Sequence, residues 1–139
     1  MKKLLLAAFF SAALYSTAGA QSMVQVTSDK APKTIGPYSQ AIRSGNMLYT
    51  SGQIGLSPET GELTVADFPS QAHQALKNIK EVVEKGRSDM KHVVKVTVYL
   101  RNMEDYVIFN DIYKEYFPST KPARSVVQVA GLPKDALIE

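Results

Sequence analysis

The sequence predicts an α+β domain in which a mixed sheet carries two helices on one face. Short segments rich in β-branched residues, bounded by Gly and Pro, indicate strands. Two longer segments repeat apolar residues every three or four positions, which is the spacing of an amphipathic helix. The predicted order is strand, strand, strand, helix, strand, helix, strand, strand. Because two helices can cover only one face of such a sheet, the other face is solvated or met by another subunit.

The first twenty residues differ from this domain in composition. Lys2-Lys3 precedes an apolar run over residues 4–14, and residues 18–20 (Ala-Gly-Ala) supply a small-residue cleavage site. This layout predicts a secretory signal peptide that is cleaved before Gln21, and therefore a periplasmic or secreted product. A membrane anchor fits less well, because the run is shorter than the ~20 residues of a spanning helix. Residues 21–139 are then one domain with one modest core.

Charge and composition exclude several kinds of site. Without Lys2 and Lys3 the chain carries 14 basic and 13 acidic side chains, so net charge does not indicate a nucleic-acid-binding surface. The chain contains no cysteine, which excludes a Cys nucleophile, a disulfide framework and a Cys-rich metal site. His73 and His92 lack a zinc-ligand spacing such as His-Glu-x-x-His. We therefore expect no cofactor and no metal.

The N-terminal part of the domain is predicted to be three strands. The first covers residues 23–27 and is followed by a polar loop containing prolines. Residues 38–44 and 47–54 form the next two strands, joined around Gly45-Asn46, because these two residues tolerate the positive φ angles of a tight hairpin turn. Residues 57–61 (Ser-Pro-Glu-Thr-Gly) are a loop by composition.

A helix and a strand follow. Asp67 can cap the helix, Pro69 lies in its first turn and Gly86 can end it. Its apolar stripe comprises Ala72, Ala75, Leu76, Ile79, Val82, Val83 and Gly86. The next strand has one apolar face, Val94, Val96, Val98 and Leu100. Its other face is not very polar, which is typical of a strand in the centre of a sheet: Val93, Lys95, Thr97 and Tyr99.

The second helix is expected to begin near Asn102, with Asp105 in a capping-box-like position. Its predicted core stripe contains one polar side chain, Asn110, among Met103, Tyr106, Tyr113 and Phe117. A buried amide needs hydrogen-bond partners. Asn110 therefore either ties the helix to a neighbouring strand or borders a functional site.

Residues 122–139 carry the most unusual feature of the sequence, an arginine inside a short strand. Alternation places Ser125, Val127 and Val129 on one face, which suits a core. Arg124, Val126, Gln128 and Ala130 lie on the other face. The guanidinium offers a planar fork of donors that matches a carboxylate or phosphate. The alternative is a surface ion pair at a strand end.

Several separated segments of the chain resemble the Rid family of reactive-intermediate enamine/imine deaminases of the RidA type. They are Ile35-Gly36-Pro37-Tyr38-Ser39-Gln40-Ala41, Gly45-Asn46-Met47, Thr50-Ser51-Gly52-Gln53-Ile54, Asn110, Pro122-Ala123-Arg124-Ser125 and Leu132-Pro133-Lys134-Asp135, and a final hydrophobic residue and Glu. The resemblance covers roughly residues 24–139 in register. It implies a chorismate-mutase-like fold that forms a homotrimer with sites in clefts between subunits.

The resemblance also implies a reaction and a set of site residues. Short-lived enamines and imines, such as 2-aminoacrylate, are hydrolysed to a keto acid and ammonia. Arg124 would clamp the substrate carboxylate, and Glu139 would orient the attacking water. Tyr38 would close over the substrate, and the Ser51 hydroxyl and Gly52 amide would hydrogen-bond it. Asn110 and Val126 complete the implied pocket. Outside the resemblance, Tyr38 would be a loop aromatic, Ser51 a turn residue and Glu139 a solvated chain end.

The chain departs from the family at two positions, and two other functions stay open. Val126 stands where the family often has Cys. Family members continue past the glutamate matched by Glu139 for several residues of strand, so the last strand is expected to be shortened to residues 136–139. One alternative function is a non-catalytic trimer that binds small carboxylates in the same cleft. The other is RNA binding or cleavage, which the near-neutral charge and the absence of a basic cluster disfavour.

Overall fold

The computed structural model describes residues 22–139, so the predicted signal peptide and its cleavage site lie outside the described residues. Its five strands form two sheets. An antiparallel sheet holds β1 (Met23–Val26), β2 (Ala41–Ser44) and β3 (Met47–Thr50), and a parallel pair holds β4 (Lys95–Leu100) and β5 (Ala123–Gln128). The two helices are α1 (Phe68–Lys85) and α2 (Tyr106–Tyr116). The first seven elements follow the predicted order, but the last strand expected at residues 136–139 is reduced to an isolated antiparallel bridge between Leu100 and Ile138. The single mixed sheet is not formed among the described residues either, because β3 and β4 do not pair.

The first sheet is built around the predicted hairpin. Ser44 pairs with Met47 across a two-residue turn, and Gly45 takes a φ of 55° there. The second strand is shorter than expected, because the side chain of Gln40 turns away to bind the loop over residues 28–32 instead of joining the strand. The third strand likewise ends at Thr50 instead of at residue 54.

Helix α1 has the predicted ends. The Asp67 carboxylate accepts a hydrogen bond from the Ser70 amide at 2.9 Å, Pro69 lies in the first turn, and the Gly86 N–H donates to the Val82 carbonyl. One buried face spans both sheets. Its N-terminal half packs against β4 and α2 through residues such as Leu76, and its C-terminal half packs through Val82 against β1 and β2.

A buried amide fastens α1 to the segment that follows β3. Asn78 is 1% exposed, and its amide donates to the carbonyls of Ile54 at 3.1 Å and Leu56 at 2.9 Å. Replacing Asn78 with leucine leaves two carbonyls without this donor, so we expect the free energy of unfolding to fall by about 2–4 kcal/mol. Urea unfolding measures the change. The exposed Lys77→Ala, one position earlier on α1, is the control; an equal loss in both variants would contradict this role for Asn78.

The second helix differs from its predicted pattern. Asn102 caps a 3₁₀ turn over Met103–Asp105 by accepting from the Glu104 amide, and α2 begins only afterwards; the Asp105 side chain makes no capping bond. A 3₁₀ helix has three residues per turn, fewer than an α-helix, so this segment changes which residues of α2 face the core. Residues Met103 and Tyr106 are therefore more than a third exposed. The buried positions are Phe109, Ile112, Tyr113 and Phe117.

The faces of β4 and β5 also need correction. Val94 lies outside β4 and is 66% exposed, whereas Val98 and Leu100 are buried as expected. In β5 the predicted sides are reversed: Arg124 and Val126 lie beside Val96 and Val98 on the face covered by the helices, and the face of Ser125 and Val127 is exposed. The reversal is possible because the aromatic side chains of α2 accommodate the guanidinium. Among residues 22–139 no helix is long and apolar enough to span a bilayer.

Candidate functional site

Arg124 is held by α2 rather than by an acid. Its Nη2 donates to the Asn110 Oδ1 at 2.7 Å. The guanidinium carbon lies 4.6 Å from the ring centroid of Tyr113, 5.4 Å from that of Phe109 and 5.9 Å from that of Tyr106, which are cation–π distances. Among residues 22–139 no Asp or Glu forms an ion pair with it, so the surface ion pair left open by the sequence is not formed. The result is a fixed cation with donors left for an anionic ligand.

Asn110 ties α2 to a neighbouring strand, which is one of the two roles that the sequence left open, and it lies next to the candidate site. Its carbonyl oxygen ties α2 to β5 through Arg124, so it fixes the guanidinium in one orientation. Val126, two residues along the strand, is partly buried against the main core. Its side chain fills the core, which leaves its backbone as the group that could contact a ligand.

Four other predicted site residues meet in a separate cleft of about 350 Å³, namely Tyr38, Ser51, Gly52 and Glu139. Tyr38 is 46% exposed, and its hydroxyl accepts a hydrogen bond from the Ile35 amide at 3.4 Å. The Ser51 hydroxyl donates to the Ser39 carbonyl at 2.7 Å. In this arrangement the Ser51 oxygen faces a ligand as a hydrogen-bond acceptor.

Gln40 is a residue of this cleft to which the sequence gave no role. It is 2% exposed; its Oε1 accepts from the Ser28 amide, and its Nε2 donates to the carbonyls of Pro32 and Ser28. These bonds fix the loop that leads to Tyr38. The only sequence signal was a glutamine inside the Tyr38–Ala41 motif, within the strand predicted over residues 38–44, and glutamine is usually an exposed residue type.

The backbone of Glu139 is hydrogen-bonded to β4, and its side chain lies against Gly52. Its N–H and C=O exchange hydrogen bonds with Tyr99, both at 2.9 Å. A Cβ added to Gly52 would overlap the Glu139 carboxyl group, so only glycine leaves room for this side chain. Burial raises the pKa of the Glu139 carboxyl above its ordinary value of 4.5. The group is therefore a better proton acceptor than an exposed glutamate.

This raised pKa predicts a pH-dependent stability effect. The fold favours the protonated carboxyl, so the contribution of Glu139 to stability is complete below pH 4.5 and is lost as the pH rises through the raised pKa. We expect Glu139→Gln to be at least as stable as the wild type at pH 7 and to lose this advantage at pH 4. Urea unfolding at both pH values measures the effect, with the exposed Glu115→Gln as the control. Destabilisation of Glu139→Gln at pH 7 would contradict it.

The two groups of candidate residues lie on opposite sides of β4. Arg124 pairs with Val96 on one edge of β4, and Glu139 pairs with Tyr99 on the other edge. Two strand spacings across and three residues along place their Cα atoms roughly 14 Å apart. Their side chains also point to opposite faces, because Val96 and Tyr99 do. One chain cannot bring both groups to a single small molecule.

The described residues offer no alternative centre based on a metal. Within residues 22–139 no three His, Asp or Glu side chains lie close enough together to hold a metal ion. The described candidate groups are a guanidinium without an acidic partner among residues 22–139, a carboxylate of raised pKa and the polar groups of the cleft.

Comparisons with known proteins agree with the sequence resemblance. The family model described as endoribonuclease L-PSP matches residues 28–139. A RutC family protein of Pyrococcus abyssi is 48% identical over 82% of this chain and 90% of its own length. A 2-iminobutanoate/2-iminopropanoate deaminase of Dermatophagoides farinae is 46% identical over 82% of this chain and 89% of its own.

The fold is shared with solved structures as well. The structure of TdcF from E. coli with bound serine superposes with a TM-score of 0.80 at 39% identity, covering 83% of this chain and 92% of the other. The family model's match, residues 28–139, includes the cleft residues and the strand that carries Arg124. This chain therefore belongs to the Rid/L-PSP family.

Proposed function

We propose that this protein hydrolyses reactive enamines and imines, such as 2-aminoacrylate, to the keto acid and ammonia. The observation that carries the proposal is the guanidinium of Arg124, which is fixed by Asn110 and three rings and has no acid partner among residues 22–139. A site built this way suits a small carboxylate. The names of relatives such as the Dermatophagoides farinae deaminase support the reaction, and the serine bound to TdcF supports a ligand of amino-acid size.

The site that we propose is shared by neighbouring subunits of a homotrimer. Arg124 and Glu139 of one chain are too far apart to meet, so the arginine of one subunit would face the cleft of the next. The face of the sheets that lacks helices supports this assembly, because it exposes large apolar side chains: Met47, Tyr49, Tyr99 and Val127. Light scattering on the purified protein should give three times the chain mass.

In the proposed mechanism the protein positions groups that are already reactive. The Arg124 guanidinium binds the substrate carboxylate through two parallel hydrogen bonds. The enamine takes up a proton from solvent at its terminal carbon and becomes the iminium ion. Glu139 holds a water molecule and accepts its proton as the oxygen bonds to the imine carbon, which gives a carbinolamine. The protonated Glu139 returns its proton to the nitrogen, which leaves as ammonia, while the hydroxyl gives its proton to solvent and its carbon–oxygen bond becomes the carbonyl of the keto acid. Holding both reactants in this geometry accounts for much of the acceleration.

The decisive assay generates 2-aminoacrylate in place with a dehydratase and measures the release of ammonia and keto acid. Glu139→Gln should keep ligand binding but lose turnover. If the protein were a non-catalytic carboxylate binder, the wild type and Glu139→Gln would both release ammonia at the background rate and would bind carboxylates equally well. An identical rate with and without wild-type protein would refute the deaminase proposal.

The family description also mentions a ribonuclease, so RNA is tested as a substrate. Phosphate contacts weaken strongly as salt rises, whereas a single partly buried carboxylate clamp is less sensitive. Deaminase activity that persists at 0.5 M salt, together with no cleavage of single-stranded RNA, is the expected result.

We also propose that residues 1–20 are a signal peptide and that the mature protein is exported to the periplasm or secreted. The apolar run and the Ala-Gly-Ala site support this location. N-terminal sequencing of the protein from its native source should begin at Gln21; a chain that retains its first residues would contradict export by cleavage.

A further inference from the structure

The segment that carries Glu139 joins β4 through an incomplete antiparallel ladder. Tyr99 exchanges two backbone hydrogen bonds with Glu139, each at 2.9 Å. Two residues along, the Arg101 N–H donates to the Leu137 carbonyl at 3.0 Å. In a complete pair the Leu137 N–H would donate back to the Arg101 carbonyl, and this bond is not formed among residues 22–139. The pair next to Glu139 therefore lacks half of its backbone hydrogen bonds.

A side chain of α1 supplies the missing acceptor. The Gln71 Oε1 accepts a hydrogen bond from the Leu137 N–H at 2.8 Å, across 66 positions of the sequence. Gln71 is 3% exposed, so this bond is made in the interior. Only the oxygen of a side-chain amide can accept from an N–H, and the bond therefore also fixes the orientation of the amide. Gln71 completes the ladder two residues before Glu139.

The chain reaches this ladder directly from a strained turn. Lys134 and Asp135 have φ angles of 55° and 57°, in the left-handed region that residues other than glycine rarely adopt. Two such residues in succession persist only where the surrounding structure holds them. The hydrogen bond from Leu137 to Gln71 anchors the backbone just after this turn, so it limits how far the turn can relax.

The same residue of α1 also supports the opposite wall of the cleft. A Cβ added to Gly55 would lie 2.8 Å from the Gln71 Cα and 2.9 Å from its Cβ, so the segment that follows β3 packs directly on α1 at this point. Gly52, which lies against the Glu139 carboxyl group, is three residues earlier in that segment. Gln71 therefore contacts both of the segments between which the carboxyl group lies.

We propose that Gln71 is a positioning residue for the deaminase reaction, which holds Leu137 in register with β4 and so sets the place of the Glu139 carboxyl group in the cleft. Side chains of an extended segment alternate between faces, so a slip of one residue in this short ladder would turn Glu139 away from Gly52. Gln71 is not among the residues that line the cleft, and it acts through the Leu137 N–H. This role rests on the proposed function, and the experiment below separates the two.

Two substitutions of similar size separate the hydrogen bond from the packing. Gln71→Met keeps the length of the side chain but offers only a weakly accepting sulfur, so kcat for 2-aminoacrylate should fall at least about tenfold while KM changes less than about twofold. Gln71→Glu keeps an oxygen and should hold kcat within about threefold of the wild type. A residue needed only for packing would give the reverse order, because a buried site accepts methionine better than glutamate. Wild-type kcat in Gln71→Met, or equal losses in both variants, would overturn the proposal.

Val82→Ala is the control for lost stability. Val82 is 0% exposed on α1, packs against β1 and β2 and does not line the cleft, so this variant should be less stable but keep the wild-type kcat. Hydrogen exchange gives a readout that needs no turnover: the Leu137 and Glu139 amides should exchange faster in Gln71→Met than in Gln71→Glu or Val82→Ala. Unchanged exchange of the Glu139 amide in Gln71→Met would refute the positioning role. A wild type that releases ammonia only at the background rate would refute the proposed function instead.

Discussion

Replacing Arg124 with alanine should lower kcat/KM for 2-aminoacrylate by at least about 100-fold, because the variant loses two charge-assisted hydrogen bonds to the substrate carboxylate, each worth about 1.5–3 kcal/mol. Arg124→Lys should recover little of this loss, since an ammonium cannot make the two parallel bonds and stacks less well on the rings of Tyr113 and Phe109. Coupled release of ammonia from enzymatically generated 2-aminoacrylate measures both effects.

The matched control for this arginine is Arg101→Ala. Arg101 lies next to β4, and its one ion pair among residues 22–139 is a 3.6 Å contact with Asp135, whose side chain is 99% exposed. Its removal should therefore leave kcat/KM near the wild-type value. Thermal unfolding of each variant separates lost chemistry from lost structure. Full activity in Arg124→Ala, or an equal loss in Arg101→Ala, would refute the carboxylate clamp.

Replacing Gly52 with alanine should lower kcat by about 100-fold, since a displacement of about 1 Å in a catalytic group can cost this much. The added Cβ occupies the position of the Glu139 carboxyl group, which must move away from the cleft. Binding of a small carboxylate to Arg124 should persist, so the loss should appear in kcat more than in KM.

Gly131→Ala is the control for this substitution. The nearest atom to its added Cβ, Arg101 Nη1, lies 3.9 Å away, so this variant should retain both activity and stability. Wild-type turnover in Gly52→Ala would show that the position of the Glu139 carboxyl group is not needed for the reaction, and the proposed role of Glu139 would then fail.

Local signals made much of the fold predictable. Asp67, Pro69 and Gly86 mark the ends of α1, and the Gly45-Asn46 turn sets the hairpin, because these features depend on a few neighbouring residues. The start of α2 was less predictable. A 3₁₀ turn before α2 changes which of its residues face the core, and no residue type in Met103–Asp105 indicates such a turn.

The strand faces and the sheet connectivity depend on contacts between distant residues. Arg124 looked like the polar side of β5, but its charge is accommodated by the rings of α2 and by Asn110, 14 positions earlier in the chain. The separation of β3 from β4 could not be predicted either, because the pairing of strands far apart in sequence is not encoded in either segment alone.

For the candidate site too, the residue types were predictable from the sequence, whereas their arrangement in space was not. The resemblance to the Rid family indicated the residues of the two groups, from Tyr38 to Glu139, and implied sites between subunits, but it did not say which edge of β4 holds each group. Gln40 was missed because its role depends on carbonyls of the loop over residues 28–32. The contact between the Glu139 carboxyl group and Gly52 was not predictable either, because it depends on the antiparallel pairing of Glu139 with Tyr99.

The most direct test of the shared site mixes two inactive variants. Arg124→Ala and Glu139→Gln are unfolded, combined in equal amounts and refolded together, with each variant refolded alone as the control. If each site takes Arg124 from one subunit and Glu139 from its neighbour, random assembly restores about a quarter of the wild-type activity. A mixture as inactive as its two components would contradict a site shared between subunits.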